Sequence, residues 1–534
     1  MNRRILVLSL LPCVGTGPAL AQEFFVRPTG FAIENPVLRR IWALGMDSSQ
    51  TASLAQVLLD SIGPRLTASP GMEAAQDWLL RTYARWGVAA RRERYGTWRG
   101  WRRGVTHLDL VAPRVRTLVA QLLAWSDGTP GGQPVRAPVA VLPDLPDSAA
   151  FVAWLPQARG KFVLVSFPQP TCRPDESWER WAMPGTADSL RARRAAAQRA
   201  WDQRIARTGY AFGYRRHSLL RRLAQAGAAG FLTSDWAQGW GSDRYFGAEV
   251  TGAPVVGVSC EDYGLLFRLA DHRQGPVVSL QAESQPLGEV PVFNVVAELR
   301  GTELPNEYVV LSAHLDSWDG GSGAVDNGTG TVMMLEAMRL LALAYPHPRR
   351  TILVGHWSAE EMGLDGSRAF VADHPAIADS LQAAFNQDIG TGRIVAMDAS
   401  GFTRAAEHLA AYLVRIPGEL TGDIRFTFPG PAGPPGDYSA FAGCGVPGFD
   451  LTSGGWDYIR YSWHTSLDTY DKLSFDDLAH NATLAAMLAY LASEDQQFMP
   501  RDRRTIIQPG PDGRPHRFMT LECAPPERRT PPLR

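Results

Sequence analysis

The apolar positions of this chain change their rhythm three times. From Asn35 to Arg92 they recur at helical spacing, with Leu54, Val57, Leu58 and Ile62 as one stripe and a second helix expected over Gly71 to Trp86, the two separated by Gly63-Pro64. From about Val111 to Ala282 short β-like runs take over, namely Ala137 to Leu142, Lys161 to Phe167, Gly230 to Thr233, Pro254 to Ser259 and Pro276 to Leu280. This middle region reads as a separate β-rich domain with a helix or two. After Pro291 strands and helices alternate: Val295 to Leu299, Tyr308 to Ala313, a helix from Thr331 to Ala344, Thr351 to Gly355, a helix near Ser367 to Ala372, Ala383 to Gln387, and a last helix from Phe475 to Ser493. That alternation predicts an α/β fold around a largely parallel sheet flanked by helices. A Pro- and Arg-rich tail follows from about Pro500 and is expected to wrap the surface or stay disordered.

Length and charge narrow the picture. The chain has 534 residues, 45% of them apolar and 20% charged, so it has material for more than one core and is not a disordered polymer. Lys+Arg number 53 and Asp+Glu 54, leaving a net charge of -1 and no global field for nucleic acid or an anionic membrane. The arginine-dense stretch Thr186 to Arg207 reads as a solvated surface helix, because no aromatic or glycine pattern of a nucleic-acid module accompanies it.

Arg3 and Arg4 precede an apolar run from Ile5 to Leu11, and Ala19-Leu20-Ala21 closes it with small residues, which is the pattern of a secretory signal peptide cut after Ala21. The run is too short to anchor the chain in a bilayer. Cys172, Cys260, Cys444 and Cys523 then remain, widely spaced and without a CxxC pair, so a cysteine zinc site is excluded while up to two disulfides of open connectivity are allowed.

Candidate chemistry gathers where the strands of the α/β region end, which is where open α/β sheets bind ligands. Tyr308 to Ala313 delivers His314-Leu-Asp316, two residues apart and therefore on one side of an extended backbone. His314 can ligate a metal while Asp316 orients it. A glycine-rich stretch with Asp326 leads into a helix, but lacks the Gly-Lys-Ser/Thr ending of a phosphate loop. The next strand ends near the adjacent carboxylates Glu360 and Glu361, of which one can bind metal while the other takes a proton from the attacking water. Asp388 and His464 close later strands or loops. Each of these is an ordinary surface feature alone; together two histidines and three carboxylates make the ligand set of a two-metal hydrolase, with zinc first and manganese or cobalt as alternatives.

The segments SAHLDSWDGGSGAVDNGTGT, GHWSAEEMGLDGS, NQDIGTG and YSWHTSLDTYDKL resemble, in order, the motif set of the M28 family of co-catalytic metallopeptidases, and the long-chain layout resembles its carboxypeptidase branch. The resemblance implies that His314 and Asp388 hold one metal, Glu361 and His464 the other, and that Asp326 bridges them. It further implies Glu360 as general base, Asp316 as support for His314, and Asp437 and Tyr438 as part of the substrate pocket, with Tyr438 standing where many relatives have His. It also implies a domain plan: signal peptide 1–21, first part of the peptidase domain 22–117, an inserted protease-associated (PA) domain 118–288, the metal-bearing domain 289–498 and the tail 499–534. The expected activity is hydrolysis of dipeptides or short peptides outside the cell or in the periplasm, with aminopeptidase action on longer peptides as the alternative. A catalytically silent receptor would have lost ligands, and a glutaminyl cyclase on this fold would bind one metal. The expected partners are a peptide substrate and two divalent ions, with no nucleic acid, no stable membrane insertion, and a homodimer left open.

Overall fold

A computed structural model describes residues 22–25, 33–213, 215–248, 252–428, 436–504, 507–509, 515–517 and 521–529. The signal peptide expected over 1–21 lies outside the described residues.

The strand Leu304–His314 stands at the centre of the peptidase sheet. It pairs in parallel with Arg350–Trp357 on one side and Leu381–Asn386 on the other. Gly448–Ser453 extends the sheet in parallel beyond Leu381–Asn386, and Ile394–Asp398 then runs antiparallel to it. Successive side chains of the central strand go to opposite faces, as the period of two requires. Val309, Leu311 and Ala313 join the larger core, whereas Val310 joins the cluster of Leu353, Trp357, Phe370 and Phe441.

The larger core lies between the sheet and three helices, Pro36–Asp47, Thr329–Ala344 and Phe475–Glu494. Thr329–Ala344 is buried continuously from Thr329 to Leu341, so it is apolar nearly all round rather than amphipathic. Its one buried charge pair, Glu336 with Arg339, is closed by hydrogen bonds of 2.6 and 2.7 Å.

Two long strands, Ala89–Ala112 and Val277–Leu299, form an antiparallel ribbon that carries the sheet into an inserted lobe. The ribbon pairs Ala89 opposite Glu298 at one end and Ala112 opposite Val277 at the other, with bulges that shift the register along the way. Ala89 to Arg92, expected in the helical region, are strand. Arginines at positions 91, 92, 94, 99, 102 and 103 mask the strand signal, because no apolar alternation survives among them.

Inside the lobe Val135–Val141, Phe162–Leu164, Gly230–Thr233 and Val255–Val258 run parallel, with Ala120–Leu122 antiparallel at the edge. Parallel neighbours need crossovers. The lobe consequently holds more helix than the expected one or two, including Ser148–Trp154, Thr186–Arg207, Ser218–Gln225 and Cys260–Asp271. The arginine-dense helix buries Leu190, Trp201 and Ile205. Three of its arginines are paired within the chain: Arg191 meets Glu179 at 2.7 Å, Arg194 meets Asp175 at 3.0 Å, and Arg207 meets Asp144.

Two disulfides settle the open connectivity as Cys172–Cys260 and Cys444–Cys523. The second pins the tail to the peptidase body. Further along, the Thr97 N–H donates to the Arg528 carbonyl at 2.9 Å and Arg528 pairs with Asp373 at 2.6 Å, so the described part of the tail wraps the surface. No helix among the described residues is long and apolar enough to cross a membrane.

Cys444–Cys523 closes a sequence separation of 79 residues. Replacing both cysteines by serine is expected to cost about 2–4 kcal/mol in urea unfolding and to expose the tail to limited proteolysis.

Candidate metal centre

The strand ends expected to carry chemistry converge. His314, the last residue of the central strand, places Nε2 2.9 Å from Asp388 Oδ1 and 3.3 Å from Asp326 Oδ1. His464 places Nε2 3.1 Å from Asp326 Oδ2 and 3.1 Å from Glu361 Oε2. Two clusters result, His314 with Asp326 and Asp388, and Asp326 with Glu361 and His464, each with donor atoms within 4.8 Å of one another. Asp326 belongs to both, offering one oxygen to each.

These spacings fit ions. Two donors held tetrahedrally at about 2.0–2.1 Å from one zinc ion lie about 3.3 Å apart. Mixed imidazole and carboxylate donors suit zinc and its first-row neighbours. The charge argues the same way. Asp316, Asp326, Asp437 and Asp468 are buried and Glu360, Glu361 and Asp388 nearly so, with Arg65 the buried cation beside them. Two like charges about 4 Å apart repel by about 4 kcal/mol at an effective dielectric of 20. Burial pushes Glu361 up to about 7 despite His464, and pushes Glu360 well above the usual carboxylate range, with Asp388 adding to the effect. Burial would lower His464, but Glu361 and Asp326 outweigh it and raise the ring to about 10. The cluster thus attracts positive charge wherever it can find it.

Local structure explains how the ligands are held. His314 Nδ1 lies 2.9 Å from the Asp316 carbonyl, which fixes the tautomer that leaves Nε2 free to ligate. The Asp316 carboxylate accepts from Thr67 Oγ1 at 2.9 Å and from the Glu360 N–H at 3.2 Å. Asp316 therefore links the His314 strand to the Glu360 turn, while its own carboxylate stays 3.6 Å from the His314 ring. The glycine-rich stretch is folded tightly against this frame. Gly323 has φ +62, and a Cβ at Gly330 would fall 2.6 Å from the Gln387 carbonyl, so neither position admits a side chain readily. The Asp326-Asn327 peptide is cis.

Asp437 and Tyr438 are both buried, Tyr438 within the larger core.

Four further residues support the cluster. Arg65, fully buried, donates to the carbonyls of Leu315 at 2.7 Å, Ser322 at 2.6 Å, Gly323 at 2.8 Å and Gly63 at 3.1 Å, stapling the glycine-rich stretch. Asp468 accepts from the N–H groups of Val325 at 2.7 Å and Asp326 at 3.1 Å, fixing the shared ligand from behind. Thr67 holds Asp316. Tyr458 is buried, and burial together with Asp326, Asp388 and Glu361 keeps its phenol protonated well above its ordinary range. Only Asp468 lay inside a recognised motif; Arg65 and Thr67 follow the Gly63-Pro64 break that reads merely as a helix separator.

The inserted lobe also reaches the centre. The Tyr245 N–H donates to the His464 carbonyl at 2.8 Å, and the Phe246 ring stands edge-on to His464 at 5.0 Å.

Residues 294–489 match the sequence profile described as Peptidase family M28. Carboxypeptidase Q of Bos taurus is 25% identical over 448 residues, covering 83% of this chain and 85% of the relative. A crystal structure of a peptidase M28 precursor from Shewanella amazonensis superposes with TM-score 0.64 at 24% identity, over 88% of this chain and 98% of the other. A zinc aminopeptidase from Bacillus subtilis shares the fold with TM-score 0.54 at 18% identity, over 84% of this chain and 95% of the other.

Arg65→Met leaves buried carbonyls without donors and Asp468 without its nearby cation, and is expected to destabilise the protein by about 3–5 kcal/mol in urea unfolding. Arg65→Lys should recover only part of this, since an ammonium cannot span carbonyls arranged around a planar fork.

Proposed function

Because this chain is a metallopeptidase with an M28 domain over residues 294–489 and resembles carboxypeptidase Q, we propose that it is an exported exopeptidase that cleaves dipeptides or short peptides with two divalent ions, zinc by preference. The observation that carries this reading is the division of Asp326, with Oδ1 in the His314 cluster and Oδ2 in the His464 cluster. His314 and Asp388 would hold one ion, Glu361 and His464 the other, and Asp326 would serve both. When bound, such a pair polarises the scissile carbonyl and acidifies the attacking water, whose pKa falls from about 15.7 toward about 7.

The remaining steps belong to side chains of this chain. Glu360 takes the proton from the attacking water and returns it to the leaving amine, with its backbone tethered to Asp316 so that the carboxylate stays beside the His314 cluster. The lobe spanning roughly 118–288 acts as a PA-type insert, supported by its position ahead of the metal-bearing strands. Export with cleavage near Ala21 is supported by the two disulfides, which suit an oxidising compartment.

The end from which peptides are cut is tested by one panel on the zinc-loaded protein. Unblocked dipeptides should be hydrolysed fastest, ahead of amino-acid anilides; hydrolysis confined to N-blocked dipeptides would overturn both the dipeptidase and the aminopeptidase readings. Glu360→Ala should keep both ions by elemental analysis and lose kcat by about 10²–10⁴-fold, and near-normal turnover would refute its role as base. His464→Ala should lower the metal content by one ion per chain, and an unchanged stoichiometry would contradict its assignment.

A further inference from the structure

The tail segment 521–529 crosses from the peptidase body to the ribbon, and each step of the crossing is fixed by a contact. Leu521 packs against the larger core, and Cys523 is bonded to Cys444. The Arg528 side chain pairs with Asp373, and its carbonyl accepts the Thr97 N–H at 2.9 Å. Two glycines make room for this path. A Cβ on Gly443 would collide with the Glu522 carbonyl, and one on Gly96 with the Arg528 carbonyl. Both obstacles are backbone, so the tail lies in a seat that only residues without a side chain leave open.

Between these anchors the Glu527 N–H donates to a carboxylate oxygen of Asp365. Asp365 is buried and opens the helix Asp365–Asp373, directly after the turn that carries Glu360 and Glu361. Its own N–H donates to the Ala359 carbonyl at 3.0 Å, while the Gly363 and Leu364 N–H groups donate to the Glu360 carbonyl at 2.8 and 2.9 Å. Asp365 is therefore bonded to the residue just before Glu360. The turn is a strained one. Ala359 has φ 56 and Leu364 φ 64, left-handed values that residues with a side chain disfavour. Backbone of this kind keeps its shape only where its surroundings hold it. Asp316 holds it at the Glu360 N–H at 3.2 Å, Asn294 at the Ser358 N–H at 3.1 Å, and Arg215 at the Met362 carbonyl at 3.1 Å. The tail adds the hold at Asp365.

We propose that residues 521–529 are a clasp, with the Glu527 N–H as its positioning group, that keeps Glu361 aimed at the ion it would share with His464. The proposal rests on the metallopeptidase reading of that cluster and adds a positioning element from the far end of the chain. Glu527 acts through Asp365 and Ala359. Removing a group that orients a metal ligand typically costs about 10–100-fold in metal affinity.

The test measures zinc affinity by competition with a chelating dye, together with melting temperature, for the wild type, Glu527→Pro, Glu527→Ala and Gly96→Val. Proline removes the N–H that Asp365 accepts, alanine keeps it, and valine at position 96 pushes the Arg528 backbone off the ribbon without altering the tail. Glu527→Pro and Gly96→Val should each weaken one of the two zinc ions by about 10–100-fold, and Glu527→Ala should match the wild type. In a His464→Ala background, which keeps only the ion at His314 and Asp388, Glu527→Pro should have no further effect, and a further loss there would overturn the proposal. Zinc bound by Glu527→Pro as tightly as by the wild type overturns it too, whether or not the melting temperature falls, and so do equal losses in Glu527→Pro and Glu527→Ala. A wild type that takes up fewer than two ions would contradict the proposed function itself. Two ions bound without cleavage of any peptide would sink the exopeptidase reading, while the zinc affinities would still decide the clasp.

Discussion

The architecture is organised around one constraint, the concentration of carboxylates that a single shared aspartate brings together. Asp326 turns its two oxygens to two different histidines at 3.3 and 3.1 Å. Around it stand Glu360, Glu361, Asp388, Asp437 and Asp468, in surroundings where like charges repel by several kcal/mol per pair. Such a cluster cannot be stable as bare anions. Either protons or cations must neutralise it, and donor atoms spaced like the edges of a metal tetrahedron favour cations.

Much of the surrounding fold serves to hold that geometry against its own repulsion. The strands set the ligands at their ends, but the intervening loops fix the angles. Arg65 gathers the carbonyls of the glycine-rich stretch, Asp468 takes the N–H groups on either side of the shared ligand's entry, and Asp316 spans from Thr67 to the Glu360 turn. The two long helices behind the sheet are buried almost throughout, so the strand ends are anchored on a rigid core. The inserted lobe completes the frame from the other side through Tyr245 and Phe246, which makes it a structural partner of His464.

The parts of this design that were legible in the sequence are those with strong local signals. The strand Gly230–Thr233 and the helices over 329–344 and 475–494 follow from apolar runs that few other conformations would accommodate. The clustering of candidate metal-binding groups was legible as a set, because a histidine or carboxylate recurs at successive strand ends. What escaped is non-local. Arg65 has no partner side chain in sequence; it bonds to backbone carbonyls some 250 residues away, as with the Leu315 carbonyl at |i−j| of 250. The ribbon strand Ala89–Ala112 escaped because its exposed edge is written in arginines.

The central claim is that Asp326 is shared by two ions, and anomalous diffraction from crystals of the zinc-loaded protein tests it most directly. The account predicts two zinc peaks per chain about 3.5–4 Å apart, one between His314 and Asp388 and the other between Glu361 and His464, each within bonding distance of a different Asp326 oxygen. A single peak, or two peaks of which only one touches Asp326, would contradict it.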